Sequence, residues 1–295
     1  MNLFLQLFFN GLASGCVYVL LSLGFGLAFY CLRVFHIALG GIYIVSGLLL
    51  YSICQSGIPA WIAVIMVTCT AGGLACAVEA SVYYPMVQRK AKDYTVLIAS
   101  LGMFIVFENG LVLVYGNETK MLISNLMPAI QIGSITISLL QAVEIGIAGV
   151  IVFFMICTLR FSHFFRLMWA LGDDPELLSI YGHNVRVLRL GVMFLSGALT
   201  GLGAGLFSLE GGIDPHIGMH YFLIAVVSVI LGGTGRLQGW VLGALLLGIL
   251  QSLTVWKISV RWMDVITFIV LVCVLTYRSQ GLIDSIRRAE EAPSA

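Results

Sequence analysis

Residues 166–189, RLMWALGDDPELLSIYGHNVRVLR, form the longest polar interruption in a chain that otherwise reads as membrane from end to end. Charge alone would make this stretch a loop. Its apolar residues say otherwise, because Leu177, Leu178, Ile180, Tyr181, Val185 and Leu188 recur at near-helical spacing. Asp173 or Asp174 can cap the start of a helix, Pro175 suits its first turn, and Glu176 favours the positive end of the helix dipole. Gly182 then supplies the stop. The spacing predicts a short amphipathic helix over Asp174–Gly182, carried in a loop 165–189 between two membrane segments. Its Leu177, Leu178 and Tyr181 face has no lipid or core waiting for it, which suits it to dock onto another protein.

The totals fix the class. Of the 295 residues 60% are hydrophobic and only 10% charged, with a mean hydropathy of +1.05. A soluble domain carries about 25% charged residues, so this composition cannot cover a water-facing surface. The chain reads as an all-α integral membrane protein, a single transmembrane domain over 1–295 in contact with lipid. Its 33 glycines fit helices that pack closely in a bilayer. A net charge of +1, without a basic patch interleaved with aromatics, gives no sign of a nucleic-acid partner. The seven cysteines lie in apolar runs with no CxxC pair, and read as small packing residues. The N-terminus lacks a basic leader and a small-residue cleavage site, so the first apolar stretch is expected to be retained.

Windows of about 20 apolar residues, enough to cross a bilayer, fall near 4–31, 34–54, 60–84, 94–116, 138–160, 188–209, 220–235, 238–256 and 262–279. They predict eight or nine spans, the seventh and eighth windows being short. With nine spans and the N-terminus outside, twelve of the fifteen Lys and Arg fall on the inner side, leaving Lys120, Lys257 and Arg261 outside. That asymmetry fixes N-out and C-in, and places 165–189 in the cytoplasm. The loops 117–137 and 210–219 then face outward, where they serve as connections or as a landing surface for an external partner. GGTG at 232–235 lacks the Lys-Ser/Thr ending of a phosphate loop. Gly232, Gly233 and Gly235 instead mark a tight turn or a broken helix.

Several stretches resemble the permease of branched-chain amino acid ABC importers of the Liv type. ALGDDPELLSIYGHNV (170–185) is similar to that family's coupling segment, with Glu176 to Gly182 keeping the Glu-to-Gly spacing of ABC importer loops. SGALTGLGAGL (196–206) is similar to its small-residue helix, and VILGGTGRLQGWVLGALLLGILQ (229–251) to its glycine-rich turn and following helix. NGLASGCVYVLLSLGFGLAFY (10–30) and LIASLGMFIVFENGLVLVYG (97–116) extend the likeness over nearly the whole chain. Departures fall at His36 and Leu39, where the family commonly reads Asn-Phe-Ala-His-Gly, at Gln238 for Pro, at Gln251 for Glu, and at Leu177-Leu178 for an alanine pair. The resemblance implies a multi-pass subunit of the bacterial inner membrane that moves branched-chain or related amino acids, or small amides. It implies as partners two cytoplasmic ATPases, a second permease identical or homologous to this one, and a periplasmic binding protein. ATP would be bound by those ATPases, and this chain would hold no cofactor. On that reading Asp174, Pro175, Glu176, Leu177, Leu178, Tyr181 and Gly182 are the ATPase-coupling residues.

Ionisable groups inside spans are costly and default to function. His36 and Glu108, with Asn109 beside it, are the candidates for a translocation pathway; Glu79 and Glu144, nearer window ends, are expected to reach the interface. His216 and His220, four residues apart with Asp214 nearby, are the one metal-like grouping, and Pro215 and Gly218 argue against a helix there. The dispersed histidines offer no catalytic set, so the chain is not expected to be an enzyme. A different class of function, an ATP-independent secondary transporter or channel, would use His36 and Glu108 as an ion relay. The docking-type helix favours the importer.

Overall fold

The computed structural model describes residues 2–122, 129–132, 135–257 and 262–277. Long apolar runs with no breaking residues dictate helices, since in hydrocarbon every backbone group must be paired within its own segment. α1 (Asn2–Leu32), α2 (Ala38–Gln55) and α3 (Ala60–Val78) lead into a five-residue π-helical turn, Glu79–Tyr83, and α4 (Tyr84–Gln88). There follow α5 (Asp93–Tyr115), α6 (Leu139–Phe161), the short α7 (His163–Ala170) and α8 (Pro175–Ile180), then α9 (Val185–Gly211), α10 (Gly218–Gly232), α11 (Leu237–Lys257) and α12 (Met263–Tyr277). Among the described residues seven helices are long and apolar enough to cross a membrane, and two shorter apolar ones cover Gly218–Gly232 and Val265–Val274. The first window is one continuous helix of 31 residues, about 46 Å at the usual rise.

The class is all-α as expected, with one small addition in the connection between α5 and α6, where β1 (Ala129–Ile132) pairs antiparallel with β2 (Ile135–Ser138), Ala129 opposite Ser138. AIQI and ITIS carry isoleucine at every second position, with Thr136 a further β-branched residue, which suits a pleated pair.

The core is built where small residues let backbones meet. α1 packs most extensively on α11, and α3 on α9. A side chain at Gly248 would meet the backbone of Gly15 and Gly11; one at Gly197 or Gly201 would strike Ala71 of α3. Gly197 and Gly201 therefore face α3 across a tightly closed seam.

The connecting segments gather at two ends. At one end Arg33, Val87, Asp93 and Pro175 line a common cavity, and Arg160, Trp169 and Arg236 line another. At the other end Lys120 and Ile213 exchange backbone hydrogen bonds of 2.9 Å, and Gln141 donates to Glu210 at 3.0 Å. Arg261, the residues from Arg278 to the end, and thus the expected inner tail with Arg287 and Arg288, lie outside the described residues.

Candidate functional site

At the basic end, α8 forms for local reasons. Asp174 Oδ1 accepts from the backbone N–H of Glu176 at 2.9 Å and of Leu177 at 3.0 Å, with Pro175 at the first position. Gly182, at φ +83°, closes the other end: its N–H donates to the Ser179 carbonyl and that of His183 to Leu178, a paired C-terminal cap that a left-handed glycine permits. The helix is six residues long, shorter than the predicted Asp174–Gly182, whose ends are the caps themselves. Its phase differs too. Leu178 is buried at 8%, whereas Leu177 is 49%, Ile180 80% and Tyr181 74% exposed. The outward apolar cap is therefore Leu177, Ile180 and Tyr181, with Leu178 as the anchor beneath.

The loop is fastened to the bundle just before this helix. Arg33 Nε donates to the Gly172 carbonyl at 3.4 Å, and Gly172 sits so close to the Tyr30 carbonyl that no Cβ fits. The Trp169 ring lies 4.3 Å from Tyr30 and 5.7 Å from Trp240 of α11. Trp240 is fully buried and presses on Gly26 of α1. Partial burial raises the Asp173 carboxyl above its ordinary value. Gly232 ends α10, Gly233 turns at φ +94°, and Gly235 lines a cavity of about 460 Å³ with Gln238, Arg160, Trp169 and Arg236.

Two buried polar groupings lie near this end. Arg189 Nε donates to Glu79 Oε1 at 2.5 Å, with side-chain exposures of 8% and 1%. Glu79 opens the π-helical turn and Arg189 lies one turn into α9, so the pair ties the helix leaving the loop to α3. Glu79 thus does not reach the interface. Glu144 is likewise buried, and neither of its carboxyl oxygens has a hydrogen-bond partner among the described residues. His36 is fully buried on the turn before α2; its Nδ1 lies 2.8 Å from the Tyr83 hydroxyl, which donates to Ser100 Oγ at 2.7 Å. Ser100 Oγ also accepts from Ala38 N. With the Tyr83 proton committed to Ser100, Nδ1–H must be the donor, leaving Nε2 as a bare acceptor without a partner among the described residues. Burial pushes the imidazole down to about 3.

Glu108 is not with His36. It stands at the opposite end, 2.6 Å from His216 Nδ1, while His216 Nε2 meets Asn117 at 3.0 Å. Asn109 is exposed and donates to its own helix at Ile105. His216 is thus engaged with Glu108 and Asn117, whereas the His220 ring packs edge-on against Tyr221. Gln251 accepts from Tyr18 and donates to Thr267, which an ionised carboxylate, an acceptor only, could not do; Leu39 is buried in the core.

Sequence reasoning missed the Glu79–Arg189 pair, the Tyr83–Ser100 extension of His36 and the Tyr30–Trp169–Trp240 cluster. The first had a signal, since Arg189 and Glu79 both fall inside apolar windows and carry opposite charge. The aromatic cluster had none.

Over residues 7–275 the chain matches the family described as branched-chain amino acid transport system, permease component. It is 28% identical over 300 residues to the high-affinity branched-chain amino acid transport system permease protein LivH of Escherichia coli (strain K12), covering 95% of each chain. It is 24% identical over 299 residues to the corresponding protein BraD of Pseudomonas aeruginosa, again 95% of each. A shorter likeness, 35% over 95 residues, covers 30% of this chain and 29% of the ribose import permease protein RbsC of Haemophilus influenzae. No solved structure matches the chain.

Proposed function

The chain belongs to the family of branched-chain amino acid transport permease components, and from that premise we propose that it is the membrane-spanning subunit of an ATP-driven importer. Its cargo is a branched-chain or related small amino acid. It pairs with a second permease and two cytoplasmic ATPases, and receives substrate from an external binding protein. It binds no ATP itself. The basic end faces the cytoplasm, with the N-terminus outside and the C-terminus inside, because basic residues favour the inner side. In this reading nine helices cross or enter the membrane.

The observation that carries the reading is α8: a capped helix with Leu177, Ile180 and Tyr181 turned outward, at the basic end of the bundle, where only a partner would cover it. A six-residue helix cannot stand alone in water. It is held by Leu178 below and by the Gly172 and Trp169 contacts beside it. Closure of the ATPases would push α8 as a rigid body. The push would pass through Trp169 to Tyr30 and Trp240, hence to α1 and α11, and through Arg189 to α3.

The test is reconstitution with the co-expressed subunits. ATP-dependent leucine uptake into proteoliposomes, abolished with loss of the ATPases in Ile180→Asp, supports the reading. Uptake by this chain alone, driven by an ion gradient without ATP, overturns it.

A further inference from the structure

A cavity of about 600 Å³ opens at the basic end between the turn joining α1 to α2 and the turn joining α4 to α5. Its walls are apolar, including Phe35, Val96 and Leu97, and it continues onto the outer face of α5. There Tyr94, Leu97, Ile98 and Leu101 are exposed, an apolar ridge at the height of the bilayer. The polar side of the cavity carries Arg33 and Arg189, with Asp93 as the one carboxylate among its lining residues. Arg189 is buried, and while its Nε is held by Glu79, its Nη2 has no hydrogen-bond partner among the described residues.

A second observation points to the same place. Among the described residues, the non-glycines with positive φ are Arg33 at +56° and Lys90 at +51°. Both are cations and both sit on the two turns that border this cavity. Lys90 is the left-handed residue of the cap that closes α4, its N–H donating to Val87 and that of Ala91 to Met86, and Arg33 stands directly past the end of α1, so the two helix ends bring a cation to each side of the cavity mouth. Arg89 and Lys92 flank Lys90, so the rim is strongly positive although Asp93 offsets part of it.

We propose that this cavity is a binding site for an anionic phospholipid. The phosphate lies between Arg33 and the 89–92 turn, and the acyl chains run along the exposed face of α5. Basic pockets between membrane helices, with Tyr at headgroup level, suit such a ligand. Pro175, the first residue of α8, also lines the cavity, so a bound lipid would sit directly beneath that helix. The site depends on the chain's own residues and stands whether or not α8 couples to an ATPase.

The test uses the full chain, purified in detergent with whatever subunits accompany it. Phosphatidylglycerol, phosphatidylcholine and inorganic phosphate are titrated separately, and binding is read by native mass spectrometry and by the unfolding temperature. The variant is Arg33→Gly with Lys90→Gly, which removes both cations while keeping residues that tolerate positive φ. Phosphatidylglycerol should bind and stabilise, and the double variant should bind it about 30-fold more weakly, from about five-fold per basic residue near an anionic surface. Arg33→Gly also gives up the hydrogen bond to Gly172, so the lipid-induced shift of each protein is read against its own lipid-free unfolding temperature. Equal binding of phosphatidylcholine, equal stabilisation by phosphate alone, or unchanged phosphatidylglycerol binding in the variant would each overturn the proposal.

Discussion

Removing either partner of the Glu79–Arg189 pair should destabilise the bundle, and by unequal amounts. Arg189 lies four residues past Val185, the start of α9, so its Cα is only about 6 Å from the helix end. Glu79 lies nine residues before Gln88, the end of α4, about 14 Å along its helix. In Glu79→Gln the long arginine stem can carry its charge toward the aqueous boundary. The remaining loss is close to that of one interhelical hydrogen bond, about 1 kcal/mol. In Arg189→Met the short carboxylate stays at depth with both oxygens unsatisfied, at a cost of about 3 kcal/mol. The double variant Glu79→Gln/Arg189→Met leaves no charge and keeps the apolar stem. It should lose less than about 1.5 kcal/mol, giving a coupling energy of roughly 2.5 kcal/mol. Denaturation of the purified protein in mixed micelles, followed by tryptophan fluorescence, reads all three. If Glu79→Gln proves the costlier single change, or if the two losses simply add, the depth argument is refuted.

Leu178→Ala should lower stability by about 2 kcal/mol, because it empties a buried site, whereas Ile180→Asp and Tyr181→Asp should leave the unfolding midpoint of the isolated chain unchanged and abolish ATPase co-purification. Trp169→Ala should leave the subunits assembled and ATP hydrolysis running while leucine uptake falls at least several-fold; hydrolysis and uptake falling in parallel would exclude Trp169 as the mechanical link. His36 should give an acid-side pH dependence. Its folded value, about 3, lies below the unfolded 6.5, so the unfolded chain binds the extra proton, and stability present above pH 6.5 is lost as pH falls toward 3, at up to about 1.4 kcal/mol per pH unit. His36→Gln, which can still hydrogen-bond to Tyr83, should flatten that slope in denaturant titrations, and an unchanged slope would assign the acid sensitivity to another group.

The spans were legible in the sequence because hydropathy along the chain is a one-dimensional property. The windows at 60–84, 94–116 and 138–160 lie within a few residues of the helices that fill them. Azimuth was not legible. Ile42 and Ile44 are fully buried in α2, while Ile98 and Ile105 of α5 are 62% and 48% exposed. Lipid accepts isoleucine as readily as a protein core does, so no residue type separates the two faces. α8 shows the same limit on water's side. Leu178 and Ile180 are both large and apolar, and a six-residue helix is too short for periodicity to fix its phase. The phase comes from Asp174 and Gly182 at the caps, together with the fastening of Gly172 to Tyr30.

Glu108 shows where depth itself misled. It stands mid-window by hydropathy, yet only seven residues from Tyr115, where α5 stops. From there His216, on a turn that Asp214 caps through the His216 N–H at 2.8 Å, can reach it. Glu79, placed nearer a window edge, is the deeper charge, because its helix continues without a break through the π-helical turn into α4. A carboxylate's cost therefore depends on where its own helix ends and on which neighbour arrives at that height. Arg189 arrives at Glu79 only because Asn184 starts α9 just four residues beyond Ile180, accepting from the N–H groups of Arg186 and Val187. The short polar run that sets α8 in place also sets the register of the buried pair. Moving one without disturbing the other is not open to this chain.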